Sequence, residues 1–179
     1  MLRITIPEAE YFDERTQTFI TTKQQTLTLE HSLVSISKWE SKWQKPFLSR
    51  DKKTIEETRD YIRCMTLTQN VDPDVYLGIN NHIVDQVSKY IEAPMTATWF
   101  KEDNKKGGRR EVITSEIIYY WMIALNIPPE YQKWHLNRLL TLIKVCNDKN
   151  NPKKMSKKDI FAQNRALNAA RKKSLNTKG

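Results

Sequence analysis

The sequence has 179 residues, of which 39% are hydrophobic, and only four are glycine. That apolar content excludes global disorder, and the shortage of the one residue that takes positive φ freely argues against an all-β fold built on tight glycine turns. The net charge is +9, and nearly all of it falls on residues 147–179, where eight Lys and two Arg are set against Asp148 and Asp159. The charge predicts a nearly neutral domain over residues 1–148 and a basic segment over 149–179.

Leu2-Arg3-Ile4-Thr5-Ile6 alternates apolar and polar and reads as a strand stopped by Pro7. Gln25-Thr26-Leu27-Thr28-Leu29 alternates in the same way, and the stretch between, with Tyr11, Phe12, Phe19 and Ile20, predicts a wide hairpin. Two short strands need a helix packed on one face. Ser32 as N-cap opens that helix, which carries Leu33, Ile36, Trp39 or Glu40, and Trp43 at helical spacing and is ended by Pro46. Thr54 with Glu57 forms a capping box for a second helix with an apolar stripe of Ile55, Ile62 and Met65, flanked by Tyr61 and Cys64. Residues 70–74 read as a turn. Asn81 is the expected cap of a third helix that points Ile83, Val84, Val87, Tyr90 and Ile91 inward and stops at Pro94.

Residues 96–100 and 110–113 are predicted strands joined by a polar, glycine-containing loop over 101–108. The longest apolar run, 117–125, is too short to cross a bilayer and predicts a helix buried on most sides, opened by Thr114 or Ser115. Asn126 and Pro128-Pro129 break it. The next helix is expected from about 130 to 146, with Leu136, Leu139, Leu140 and Ile143 buried and Lys133, Asn137, Thr141 and Lys144 in water. The short join predicts that these two helices pack as an antiparallel pair. Residues 147–152 mark the clearest boundary. Beyond it, Ser156 with Asp159 caps a helix over 157–173 that is rich in alanine. Its stripe of Ile160, Phe161 and Leu167 is too thin to stabilise it alone, so it is expected to stay frayed until it docks. The expected fold is α+β: a predominantly helical single domain with a small antiparallel sheet and an appended basic C-terminal helix.

The residues that could carry chemistry do not form a reactive set. His31, His82 and His135 have no Cys, His or acidic neighbour at ligand spacing, and the sequence has no C-x-x-C and no G-x-S-x-G. The Lys105-Lys106-Gly107-Gly108-Arg109-Arg110 run lacks the residue order of a nucleotide-binding loop. A solvated hairpin tip is its plain reading, with phosphate contact as the alternative. Cys64 and Cys146 read as small core hydrophobes. The N-terminal run lacks the continuous apolar stretch of a signal peptide. A soluble, intracellular, non-enzymatic protein is expected, with no metal, no cofactor and no membrane partner.

Binding is the remaining class. Trp39 and Trp43, four residues apart, share one helix face. Core packing is the plain reading, and an exposed pair anchoring a partner is the other. In the tail, Lys157, Lys158, Phe161, Arg165, Leu167, Arg171 and Lys172 are candidate partner contacts. Such a basic helix either docks on a protein or neutralises nucleic-acid phosphates; a tail that merely solvates is the third reading.

Four stretches add a resemblance. They are Leu29-Glu30-His31-Ser32-Leu33-Val34-Ser35-Ile36-Ser37-Lys38-Trp39-Glu40-Ser41-Lys42-Trp43, running on to Lys45-Pro46-Phe47-Leu48; Cys64-Met65-Thr66-Leu67-Thr68-Gln69-Asn70-Val71; Gln132-Lys133-Trp134-His135-Leu136-Asn137-Arg138-Leu139-Leu140; and Leu167-Asn168-Ala169-Ala170-Arg171-Lys172-Lys173. Together they resemble a family of small tail-module proteins from long-tailed bacteriophages, the tail assembly chaperones, over nearly the whole chain. The resemblance implies a protein that binds the helical tape-measure protein, and in turn tail-tube subunits, in the cytoplasm of the infected host, and that is left out of the finished virion. It carries over no catalytic residue. Nucleic-acid binding through the basic tail and a structural place in the virion, as a connector or tail component, are the competing expectations.

Overall fold

A computed structural model describes residues 1–13, 17–100, 112–150 and 157–175. The chain divides into two units, residues 1–144 and 145–179. The first is a predominantly helical α+β domain.

Strand β1 (Leu2–Ile6) pairs antiparallel with β4 (Gln25–Leu29), and β2 (Ala9–Asp13) with β3 (Thr18–Thr22). Both pairs share one register: Ile6 lies opposite Gln25 and Ala9 opposite Thr22, so Pro7-Glu8 on one arm is matched by Lys23-Gln24 on the other. The result is one wide hairpin interrupted once, where Pro7 has no N–H to offer the ladder. Ile4, Ile6, Leu27 and Leu29 are buried, while on the opposite face Thr5 and Thr26 share a hydrogen bond of 3.1 Å. That alternation is the period-two pattern of a half-buried sheet.

The helices close over this sheet. They are α1 (Leu33–Trp43), α2 (Ile55–Met65), α3 (Asn81–Glu92), α4 (Ser115–Ala124) and α5 (Leu136–Asn150), with 3-10 helices at Pro73–Gly78 and Pro129–Lys133; α6 (Lys157–Leu175) belongs to the second unit. Leu33, Ile36, Ile62, Met65, Ile118, Leu136 and Leu139 are almost wholly buried and form the centre of the core with the sheet. Gly78 approaches β1 so closely that a Cβ there would stand 2.6 Å from Ile6 Cγ2. With glycine scarce, Gln17, Gln44, Asn70, Met95 and Asn126 take the positive-φ positions, Gln44 closing α1 and Asn126 following α4.

The caps of α1 and α2 follow the local sequence. Ser32 and Ser35 exchange side-chain and backbone hydrogen bonds at the start of α1. Thr54 Oγ1 accepts from the Glu57 N–H at 3.1 Å, and Glu57 Oε2 accepts from the Thr54 N–H at 2.8 Å. Thr54→Ala should lower the unfolding free energy by about 1 kcal/mol, read as a drop in urea midpoint at constant slope.

Several expectations are corrected. Ile55 is exposed, because it lies in the first turn of α2, and the core is met by Tyr61, Ile62 and Met65. Asn80 rather than Asn81 caps α3, its Oδ1 accepting from the Ile83 N–H at 3.0 Å. Residues 96–100 and 112–113 form no strand, since extended backbone becomes a strand only where a neighbour completes its ladder. The loop over 101–108, with Arg110 and Glu111, lies outside the described residues. Helix α4 buries Ile118 and Met122 but leaves Tyr120 and Ile123 exposed. It packs on α1, so the expected antiparallel pairing with the next helix is not the packing seen. The intervening residues form a 3-10 helix that itself rests on α1, and α5 starts only at Leu136. Asn137, expected in water, donates to the carbonyls of Ile91 at 2.9 Å and Ala93 at 2.8 Å, closing the end of α3. Residues 147–150 continue α5 rather than forming a linker, because nothing breaks a helix before Pro152.

Candidate functional site

The Trp pair on α1 divides between core and rim. Trp39 is 1% exposed, donates from Nε1 to the Glu57 carbonyl at 2.9 Å, and meets the Phe47 ring edge-on at 5.2 Å. It is a core residue, which removes it from the partner-contact set. Its neighbour Trp43 is half-buried, stacks on Trp39 at 6.1 Å, and donates from Nε1 to Asp60 at 2.8 Å. Buried Trp N–H groups normally find such acceptors, and here both acceptors sit on α2, so the pair ties α1 to α2. Asp60 also receives Lys42 Nζ at 2.6 Å and Arg63 Nε at 3.0 Å. Burial alone would raise the Asp60 pKa, but the hydrogen bonds from Lys42 and Trp43 and the Arg63 charge outweigh it and hold the carboxyl below its ordinary range.

A second polar cluster lies inside the domain. His31 Nδ1 and the Tyr61 hydroxyl share a hydrogen bond of 2.5 Å, and the His31 and His135 rings meet edge-on at 5.1 Å. His135 Nδ1 accepts from the Asn137 N–H at 3.3 Å, so its Nε2 carries the proton donated to the Tyr90 carbonyl at 3.0 Å. Tyr90 in turn donates to Glu30 at 2.7 Å. Burial, and secondarily the charge His135 would carry, push the His31 pKa down to about 3. Burial likewise lowers that of His135, against the hydrogen bond to Tyr90. Both rings are neutral at physiological pH. His31 is only 2% exposed. Its backbone carbonyl accepts from the Leu136 N–H at 2.8 Å, pinning the start of α5 to the β4–α1 junction. Among the described residues, no group of three or more His, Cys, Asp or Glu side chains is placed to hold a metal ion.

The residues left for binding are on surfaces. In α6, every side chain that is described is exposed, Phe161 at 73% and Leu167 at 49%. At 100° per residue, Phe161, Arg165 and Lys172 share one face, Leu167 and Arg171 lie on the next, and Ala162, Ala166 and Ala169 line the opposite flank. Lys157 and Lys158 lie in the first turn of α6; their side chains are outside the described set. The chain matches no protein-family model, no curated protein and no solved structure. Among the described residues, no helix is long and apolar enough to cross a membrane.

Two exposed apolar pairs are among the features that escaped the sequence reading. Phe12 and Phe19 stand opposite each other on β2 and β3, with ring centroids 5.1 Å apart and both rings more than half exposed. Alternation assigns them to one face of the hairpin but does not say that this face stays uncovered. Tyr120 and Ile123 are the other pair. A run that is apolar all round carries no moment from which to read its outer side.

Proposed function

We propose that this chain is an assembly chaperone for a long bacteriophage tail, binding the tape-measure protein and then tail-tube subunits in the cytoplasm of the infected host. The observation that carries the reading is α6. It is a 19-residue helix, about 28 Å long, whose described apolar and basic side chains are all exposed. Such a helix is stabilised chiefly by whatever covers it, which suits a reversible partner contact.

The four stretches that resemble tail chaperones are distributed unevenly. The first three include core residues: Leu33, Ile36 and Trp39; Met65; His135, Leu136 and Leu139. They speak for a shared fold more than for a shared client. In the fourth, residues 167–172 are all exposed, so the client contact is assigned there. Phe161, Arg165, Leu167, Arg171 and Lys172 are its central residues, with Lys157 and Lys158 at its start.

The test is co-expression of the full chain with the neighbouring tape-measure protein, followed by pull-down and mass spectrometry of purified virions. Co-purification and absence from virions are expected. The triple variant Arg165→Glu, Arg171→Glu, Lys172→Glu should lose the client while keeping the thermal transition of residues 1–144. Clear presence in virions without co-purification would overturn the reading in favour of a structural tail component. DNA binding that falls steeply with salt and disappears in the same variant would assign the helix to nucleic acid instead.

A further inference from the structure

Along the outside of α1 and α2, two depressions share a wall. One, of about 230 Å³, is lined mainly by apolar atoms, among them Val34, Met65 and Leu67; its charged lining is Lys38, Lys133 and Glu30, the last paired with the Met1 amino group at 3.1 Å. The other, of about 340 Å³, is bounded by Lys38, Lys42, Arg63 and Cys64. Lys38 and Cys64 belong to both, so the apolar slot runs directly into the cationic shelf.

On the shelf the charges do not cancel. Lys42 and Arg63 both pair with the single carboxyl of Asp60, and Lys38 is a further exposed cation. Three positive charges against one negative leave the shelf net positive, and Asp60 is itself buried behind its partners. The slot offers the opposite chemistry. Leu67, which lines it, is 51% exposed, so apolar surface there stands in water.

We infer that the α1–α2 groove is a docking site for an extended segment of a partner protein in which an aliphatic or aromatic side chain stands next to an acidic one. The apolar side chain fills the slot against Val34 and Leu67. The neighbouring carboxylate sits on the shelf between Lys38 and Arg63. Charge complementarity selects the acidic flank, and the slot prevents the contact from being merely electrostatic. The site lies wholly within residues 1–144 and stands whether or not α6 binds a tape-measure protein.

Cys64, at the junction of the two depressions, supplies the readout. The probe is an acetylated, amidated dodecapeptide carrying one Leu-Asp-Leu-Glu block in a Ser/Gly background, compared with versions in which the Leu residues become Ser or the acids become amides. The full-length protein is alkylated with iodoacetamide at pH 8.5, and Cys64 and Cys146 are followed separately by peptide mapping. The probe should slow Cys64 by about tenfold at saturation while Cys146 stays within about twofold of its free rate, and Lys38→Glu should raise the half-protecting concentration by about tenfold. Both control peptides should protect less. Leu67→Ser, a surface change on the apolar side, should weaken protection as Lys38→Glu does. No protection of Cys64 at millimolar peptide, equal slowing of both thiols, or protection unchanged in Lys38→Glu would overturn the assignment.

Discussion

Glu40→Ala should destabilise the domain by about 2–4 kcal/mol, among the largest effects expected of any single polar side chain here. Glu40 is buried on α1, and its two oxygens serve two distant backbone donors. Oε1 accepts from the Phe47 N–H at 2.8 Å and Oε2 from the Ser115 N–H at 2.8 Å. The second bond reaches the first residue of α4, whose N-cap Thr114 makes no side-chain capping bond to the helix backbone. Removing the carboxyl orphans two buried N–H groups at about 1–3 kcal/mol each, partly offset because a buried polar group no longer needs desolvating. Glu40→Gln keeps one acceptor oxygen and should fall between wild type and Glu40→Ala. Urea unfolding at pH 7.5 measures both. A Glu40→Ala midpoint within error of wild type would show that water replaces the carboxyl and that α4 is capped in another way.

Acidification should unfold the protein earlier than its surface charges suggest. His31 has its pKa lowered from 6.5 to about 3, so below pH 6.5 the unfolded chain takes up a proton that the folded chain refuses. A lowered folded-state value means that the stabilisation is full above the unfolded pKa and is lost as pH falls below it. Each pH unit in that window removes about 1.4 kcal/mol per such group, so the fall from pH 6.5 to 5.0 removes about 2 kcal/mol through His31 alone. His135, shifted in the same direction, adds to the loss. The groups facing His31 are Tyr61, Phe47 and His135, with Ser35 against the Tyr61 hydroxyl; none of them is an anion able to stabilise an imidazolium. His31→Gln should be less stable at pH 7.5 but should lose less on going to pH 5.0. Equal pH slopes for wild type and His31→Gln would mean that the His31 ring takes up its proton in the folded state at an ordinary pH.

Both predictions turn on contacts between segments far apart in the chain, and such contacts separate what was legible from what was not. The hairpin arms, Ser32, and the Thr54–Glu57 box were legible because period-two alternation and capping act over a few residues. So were Ile83, Val87 and Tyr90 as the inner face of α3. The basic helix was legible from its alanines and charges, and α6 covers the residues expected of it.

The candidate site was legible only in part. Spacing places Trp39 and Trp43 on one helix face, but that face could pack inward or point at a partner. The tertiary arrangement decided the matter by setting the Glu57 carbonyl and the Asp60 carboxyl where the two indole N–H groups reach. Similarly, a glutamate at position 40 looks like any solvated acid until Ser115, 75 residues away, turns its N–H toward it. The α1–α2 groove belongs to the same class, since its slot and shelf draw on residues from α1, α2 and the segment after α2. By itself, then, the sequence determined the outer hairpin arms, the capped helices α1 and α2, the α+β class and the separation of a near-neutral domain from a basic helix, because hydrophobic period, capping and charge act along the chain. Only the tertiary structure decided which polar groups are buried, which Trp is core, and which apolar side chains stay in water, because each of those depends on what a distant segment places opposite.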